Sequence, residues 1–484
     1  MAFKTDVSFL EKISIGATGT RRVFEDLKRL GHRPVELERG SMSFKIWKEI
    51  KIKRVRVPDV LCVGCGRRVE SRAKTKLLVT MSHSVVSPER GWDFGLDDGD
   101  MVAFVKCSKI GTEPVDWAAS GFVQYVSAKP LRAAVVDKKV FWEKPKGTEE
   151  GFEARITWPS AVASCAGEVV EVGKERLKLK RRGDGRLISL ALEKKGIRLK
   201  PLVKAGDVFV EDQILASVVP VSTSFDCGKG MEARDYVRMI RSASLSDRYG
   251  AAKALSFFKG ADIHGALVKK TGDARDHIYI RLEAAASLLK MGFSDSVDFF
   301  KSVLADEYLE NRLECVIILG EICSDVSCRL LIEVLLDKAQ HSEIRAGAAW
   351  ALGELKNKVA LDALVSVFDD IDLGVRSESA RALFRLSGLF GKEIIKYFPK
   401  GSEDVRAGIS WALSKSGNFS VKDLLSVMAD DGARKWVAWV VGTQKQEKLV
   451  AEIEDLKDKD KEVYFAVTVL WKILSSWVGN LEIY

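Results

Sequence analysis

One phrase recurs through the second half of the chain: a basic residue, then small residues, then an apolar end. It reads RYGAAKAL from Arg248, RLEAAASL from Arg281, RLECVIIL from Arg312, RAGAAWAL from Arg345, RSESARAL from Arg376 and RAGISWAL from Arg406. RKWVAWVV from Arg434 and VYFAVTVL from Val463 are degraded copies. Successive copies lie 28 to 33 residues apart, the length of one helix–turn–helix unit of a solenoid. Ala and Gly positions let two helices approach closely, and Leu positions fill the core they share. Such a unit can bury its apolar face only against its neighbours, so the pattern predicts a stacked all-α solenoid over residues 233–478. The recurring Arg opens a second helix, where it reaches an acidic partner in the adjacent repeat or serves a ligand. Trp436, Trp439, Trp471 and Trp477 crowd the last units, as the rings of a capping repeat do.

The stretch resembles HEAT repeats, in particular a short kind with the signature D-x-x-V-R-x-x-A-A-x-A-L. Asp404, Val405, Arg406 and Ala407 carry part of it, as do Ile344, Arg345, Ala348, Ala349, Ala351 and Leu352. The resemblance implies binding of a protein partner or nucleic acid along a concave face, and no chemistry.

At 484 residues the chain is too long for one core, and two to four domains are expected. MAFKTDVSFLEKIS at the start has no basic region followed by an apolar run, so no signal peptide is expected. No apolar run is long enough for a helical membrane span, so a membrane is not among the expected partners. Of eight cysteines only Cys62 and Cys65 form a C-x-x-C pair, which is no secreted disulfide framework and fits a reducing cytoplasm.

The net charge of +9 is unevenly placed. Residues 1–225 hold 41 basic and 29 acidic side chains, the remainder 36 and 39. Residues 45–76 alone hold eleven basic and three acidic ones. Such a stretch either attracts polyanions by counterion release or forms a solvated strand face.

Residues 19–84 read as helix, strand, strand, turn, strand. Val23, Phe24, Leu27 and Leu30 recur at helical spacing and Gly31 is placed to stop that helix. KEIKIKRVRVPD alternates as a half-buried strand, slips at Lys53–Arg54 as at a bulge, and ends at Pro58. In RRVESRAKTKLLVTM, period two puts Arg68, Glu70, Arg72, Lys74 and Lys76 on one face, Val69, Ser71, Ala73 and Thr75 on the other.

This order resembles the core of the PD-(D/E)xK, or restriction-endonuclease-like, nuclease superfamily. Pro58-Asp59 matches its PD, Glu70 its strand acid, and Glu25 the acid often supplied by the first helix. The resemblance implies that Asp59 and Glu70, with Glu25, hold catalytic Mg2+ or Mn2+ and that a nearby Lys steadies developing charge. The family's Lys position is Arg72 here, and Lys74 lies one pair further along the same face. Lys51, Lys53, Arg54, Arg56, Arg67, Arg68 and Arg72 would then contact phosphates, of DNA before RNA.

Cys62-Val63-Gly64-Cys65-Gly66 resembles a zinc-ribbon knuckle, which implies structural Zn2+ with His83 or Cys107 as further ligands; a redox pair or two free thiols are the alternatives. Residues 85–145 show a turn and several strands with no assigned role. Asp93, Asp97, Asp98 and Asp100 read as a solvated acidic loop.

A linker follows from Glu143, then short strands and turns, with RRGDGR as a hairpin turn. VKAGDVFVEDQILA, with Gly167 and Val169 upstream, resembles barrel–sandwich hybrid domains. A carrier of that group needs a Lys in a setting such as MKM at the exposed hairpin. Here the hairpin is Gly183-Asp184-Gly185 between arginines, which points to a spacer or docking module.

The expectation is a multidomain protein: a basic α/β nuclease-like module over residues 1–145, a small β-barrel over 146–225, and the HEAT-like α-solenoid. Its function would be metal-dependent DNA binding with phosphodiester hydrolysis. The alternatives are a non-catalytic adaptor joining a protein partner to nucleic acid, and a HEAT-type DNA glycosylase using the C-terminal tryptophans. The acidic balance of the solenoid half argues against the glycosylase, which needs a cationic concave face.

Overall fold

The computed structural model describes residues 6–42, 49–50, 55–144, 153–228 and 230–443, with Glu454, Lys457 and Tyr464. The chain divides into two compact units, Met1–Ile46 with Arg54–Ala266, and Trp47–Lys53 with Leu267–Tyr484.

The first unit opens with helix α1 (Asp6–Arg29), which starts well before the apolar spacing from Gly19 suggests. Gly31 stops it with φ +83°. The Gly31 N–H donates to the Lys28 carbonyl and the His32 N–H to that of Leu27, the paired bonds of a Schellman cap. A mixed sheet follows: β1 (Pro34–Glu36), β2 (Val60–Cys62) and β3 (Arg68–Lys74) form an antiparallel meander. After β4 (Thr80–Ser84), β5 (Met101–Lys109) lies parallel to β3, and β6 (Trp117–Ala119) and β7 (Gln124–Ser127) both pair antiparallel to β5. Val55 and Val57 are buried and Arg56 is exposed, yet no strand spans 55–58; an extended segment alternates in burial without ladder partners.

α1 packs on one face of this sheet through Val23 and Leu27 against Val60, Val69, Ala103, Val105 and Tyr125. The approach is close enough that a Cβ on Gly19 would lie 2.6 Å from that of Ala73. The opposite face carries Val102 and Phe104 and joins a second core with α2 (Ala128–Val136), built on Trp92, Leu131, Ile156 and Trp158. Ile156 belongs to β9 (Glu153–Thr157), which pairs with β4 and with β8 (Phe141–Glu143). The boundary expected after residue 145 therefore cuts through a shared core rather than between compact bodies.

The remaining strands are β10 (Ser160–Val162), β11 (Gly167–Val172), β12 (Arg176–Arg181), β13 (Leu187–Ala191), β14 (Glu193–Lys194), β15 (Ile197–Arg198), β16 (Lys200–Pro201), β17 (Val208–Phe209) and β18 (Ile214–Ser217). They form sheets in the orders β13-β12-β11-β17 and β10-β18-β16, with β14 and β15 as a small hairpin. Val169, Leu177, Leu179, Phe209 and Leu215 share their core. Only glycine fits at 167, where a Cβ would lie 2.3 Å from the Lys180 carbonyl and 2.7 Å from the Phe209 ring. RRGDGR makes the β12–β13 turn, with Gly183 and Gly185 at positive φ.

The first helical pair, α3 (Ala233–Met239) and α4 (Leu245–Ala254), belongs to this unit and not to the rest of the helices. The Tyr236 hydroxyl donates to the Val63 carbonyl at 3.0 Å, and Arg39 donates to the Tyr249 hydroxyl at 2.9 Å.

Helices α5 (Ala261–Gly272), α6 (Ile278–Lys290), α7 (Val297–Leu304), α8 (Leu309–Leu319), α9 (Asp325–Leu336), α10 (Ser342–Leu355), α11 (Leu361–Ser366), α12 (Leu373–Ile395), α13 (Glu403–Ser416), α14 (Val421–Leu425) and α15 (Asp431–Gly442) continue the chain. The repeated phrase falls on the second helix of each pair, α12 being two helices joined across a kink at Phe390 of which the latter precedes α13, and Ala348, Ala349, Ala351 and Leu352 are fully buried. The phrase's Arg is structural. Arg345 donates to the Leu335 carbonyl and pairs with Asp370 at 2.5 Å; Arg406 donates to the Phe398 carbonyl and pairs with Asp430 at 3.2 Å. No helix among the described residues is long and apolar enough to cross a membrane.

Candidate functional site

Two clusters of reactive side chains flank the β2–β3 hairpin. On the first, Val60 pairs with Val69 across the hairpin, so Asp59, just before β2, continues the ladder opposite Glu70. Asp59 accepts a hydrogen bond from the Ser71 N–H at 2.7 Å. Burial, then repulsion from Glu70 and Glu38, pushes its carboxyl well above the usual range. Burial raises Glu70 as well, against the pull of Arg72, whose guanidinium lies 3.0 Å away. Arg72 Nε is buried without a hydrogen-bond partner. Lys74 donates to the Thr80 carbonyl at 2.6 Å, and burial, followed by Arg72 and Arg155, lowers its ammonium to about 8.

Other expected members stand elsewhere. Glu25 is exposed on α1 and meets Arg22 at 3.9 Å. The helix acid built into the fold is the adjacent Asp26, which is fully buried and binds Arg29 and the Tyr125 hydroxyl, each at 2.9 Å. Arg68 is not a phosphate contact, because it is buried. Its guanidinium reaches Asp100 at 2.8 Å, Asp97 at 2.5 Å, and Asp247 and Ser246 at 2.9 Å. Arg132 takes up Asp93 and Asp98 at 2.7 and 2.8 Å, so the acidic run of 93–100 is the counter-charge of two arginines, with Asp97 and Asp98 still largely exposed. Arg56 is exposed and donates to the Glu89 carbonyl. Lys51, Lys53 and Arg54 lie outside the described residues, as do Trp471 and Trp477. Trp436 donates to Glu403 at 3.0 Å.

The second cluster gathers His32, Cys62, Cys65 and Cys227, whose ligand atoms all lie within 4.8 Å of one another. The Cys62 and Cys227 sulfurs are 3.7 Å apart, and the Cys65 sulfur is 3.9 Å from His32 Nδ1. The cap of α1 delivers His32; the β2–β3 turn delivers both knuckle cysteines, with Gly66 at φ +74°. Hydrogen bonding from Cys65 and from the Arg33 backbone N–H lowers the Cys62 thiol to about 4, while burial raises Cys227. The two further ligands expected for the knuckle are elsewhere. His83 sits on β4 with its ring edge-on to Trp142, and Cys107 is buried in β5, where desolvation raises its thiol to about 11. The pattern that carries the true neighbours is faint: Cys65-Gly66 and Cys227-Gly228 are the same dipeptide, each glycine at positive φ.

Residues 298–384 match the model of HEAT repeats. No characterised protein sequence matches the chain. Among solved structures, the complex of CpcE and CpcF of phycocyanin lyase from Nostoc sp. is 18% identical, covering 51% of this chain and 96% of that one, at TM-score 0.26. Human deoxyhypusine hydroxylase is 16% identical, covering 50% and 96%, at TM-score 0.22. Kap121p bound to Pho4p is 15% identical, covering 44% and 27%, at TM-score 0.27. The chain thus joins a sheet-rich α/β region to a C-terminal stretch of HEAT-like helical repeats.

Proposed function

We propose that this is a HEAT-repeat binding protein whose N-terminal region is a restriction-endonuclease-like module acting on nucleic acid, DNA before RNA, as a divalent-metal-dependent phosphodiesterase. The observation that supports this most is the placement of Asp59, just before β2, opposite Glu70 of β3. Glu70 raises the proton affinity of the buried Asp59 carboxyl, and burial raises that of Glu70 itself; carboxyls so placed are relieved by a cation as well as by a proton. Asp59 and Glu70 would hold Mg2+ or Mn2+, which lowers the pKa of water and neutralises charge on a phosphate. Lys74 lies on the same strand face, and an ammonium near 8 can offset charge or give up a proton close to neutral pH. Arg67 and Arg72 would steady the phosphate backbone. The small sheets from β10 to β18 fit a barrel–sandwich hybrid used as a spacer, and the helical repeats a protein partner along their concave face.

A non-catalytic adaptor is the second reading, favoured by Arg72. It takes the position of the family's Lys, cannot act as a base, and already neutralises Glu70. Cleavage assays on single-stranded, double-stranded and branched DNA with Mg2+ or Mn2+ decide between them. Asp59→Ala and Glu70→Ala should abolish cleavage and leave binding intact or tighter, and Lys74→Ala should slow it roughly 10²-fold. No metal-dependent cleavage of any form leaves the adaptor; cleavage that survives both carboxylate changes places the chemistry elsewhere.

A further inference from the structure

We infer that His32 Nδ1 and the thiolates of Cys62, Cys65 and Cys227 bind one Zn2+ as a closed structural site, and that this ion ties three separate segments of the first unit together. In a zinc tetrahedron with Zn–S of about 2.3 Å and Zn–N of about 2.0 Å, neighbouring donors sit roughly 3.5–3.8 Å apart. The observed 3.7 Å falls at that spacing, 3.9 Å lies just beyond it, and all four donors are within 4.8 Å of one another. The 3.7 Å between the Cys62 and Cys227 sulfurs is too long for a disulfide, whose sulfurs lie about 2.05 Å apart. Among the described residues this is the one group of three or more ligand side chains close enough to share an ion.

The surroundings are those of a metal ligand set. His32 turns Nδ1 inward and its other nitrogen, Nε2, lies 3.2 Å from the Phe225 carbonyl, an outer-shell bond that fixes tautomer and ring orientation. The Phe225 ring lies tilted against the imidazole at 4.5 Å between centroids. The Arg33 N–H lies 3.4 Å from the Cys62 sulfur. Gly64 lies beside two of the sulfurs: a Cβ there would make ordinary contact with that of Cys227 at 3.5 Å and that of Cys62 at 3.7 Å. Three thiolates around Zn2+ leave one negative charge. Arg67 donates to the carbonyl of Asp226, next to Cys227 in the chain, and is placed to balance that charge. Four protein donors leave no open position, so the site is structural and not catalytic.

The segments it joins explain its use. His32 ends α1, Cys62 and Cys65 belong to the hairpin that carries Asp59 and Glu70, and Cys227 follows β18 and leads to α3. Backbone bonds run alongside: the Met231 N–H donates to Gly64 and the Val63 N–H to Arg33. Bringing such distant segments together is a large loss of loop entropy, which metal binding offsets on folding.

Full-length protein purified without chelator should hold about one zinc per chain by elemental analysis. Cys227→Ser or His32→Ala should reduce this to a small fraction, whereas Cys107→Ser and His83→Ala should keep it. Replacement by Co2+ should give the thiolate charge-transfer band and strong visible bands of a tetrahedral site with three sulfurs. That spectrum needs only the unmodified chain and decides the matter if the variants fail to fold. Zinc content indifferent to Cys227 and His32 would overturn the assignment. So would a cobalt spectrum with two sulfurs, or a metal-free protein with a Cys62–Cys227 disulfide. None of these readouts depends on cleavage, so the site stands or falls apart from the nuclease reading.

Discussion

Replacing Arg68 by Met separates a structural arginine from a phosphate contact. The Arg68 side chain is 2% exposed and Asp100 beside it 5%. Met keeps most of the stem volume and removes the charge, leaving the Asp100 carboxylate buried without its cation. Breaking a buried pair from one side costs about 3–5 kcal/mol. The bond to Asp97 adds little, because that carboxylate is 75% exposed and water replaces its partner. At about 1.4 kcal/mol per decade, amide exchange in β3 should speed up by roughly two to four orders of magnitude where it reports local opening. Burial already holds the Asp100 carboxyl above its ordinary value despite Arg68. A carboxyl raised in this way binds more protons folded than unfolded, so it costs stability as pH rises from its unfolded pKa through its folded one. Without Arg68 the carboxyl rises further, and the deficit of the variant should be smaller near pH ~5 than near pH ~7. Adding Asp100→Asn should recover part of the loss, since it removes the orphaned charge. Exchange in β3 that stays unchanged while DNA binding weakens would refute the reasoning and return Arg68 to the phosphate.

Three further outcomes follow from packing. Ala349→Arg should lower stability by about 3 kcal/mol or more, through overpacking and a buried charge, read as a shifted circular-dichroism melt. Gly167→Ala should cost about 1–3 kcal/mol, because the new Cβ meets the Lys180 carbonyl and the Phe209 ring; faster exchange confined to β11 and β12 checks it. A chain cut after residue 145 should be insoluble, since it loses Ile156 and Trp158 from the core of Trp92 and Phe104, whereas residues 1–266 should give a soluble, cooperatively melting fragment.

The repeats were legible because a solenoid writes its packing into sequence at one fixed interval. The alanines, the closing leucine and the Arg that crosses to the next unit all recur there, and Arg345 and Arg406 do what that position allows. α1 and β3 were legible too, from apolar spacing, a glycine stop and period two, whereas the strand expected over KEIKIKRVRVPD is absent at 55–58 and β2 falls on Val60–Cys62, after Pro58. The first helical pair was read as part of the solenoid because its phrase matches the others. Its attachment to the sheet through Tyr236, Tyr249 and Asp247 is a long-range choice that no local pattern records.

The misplaced site residues share one cause. Period two assigns Arg68, Glu70, Arg72 and Lys74 to one face, but it is silent on what covers that face. Here α4 and the 93–100 loop cover its beginning, so Arg68 is enclosed by carboxylates, while Glu70 and Arg72 further along stay partly open. The same blindness hid His32 and Cys227. A short C-x-x-C turn fixes two donors by local geometry, and the other two depend on which distant segments the fold returns to that turn. Nearness in sequence favoured His83 alone, since His32 lies 30 residues before Cys62 and Cys107 lies 42 beyond Cys65. The β3–β5 crossover carries His83 and Cys107 into the sheets, while the return after β18 brings Cys227 to the hairpin. A half-knuckle is therefore a statement about two donors and a turn, and completing it requires the topology of the whole unit.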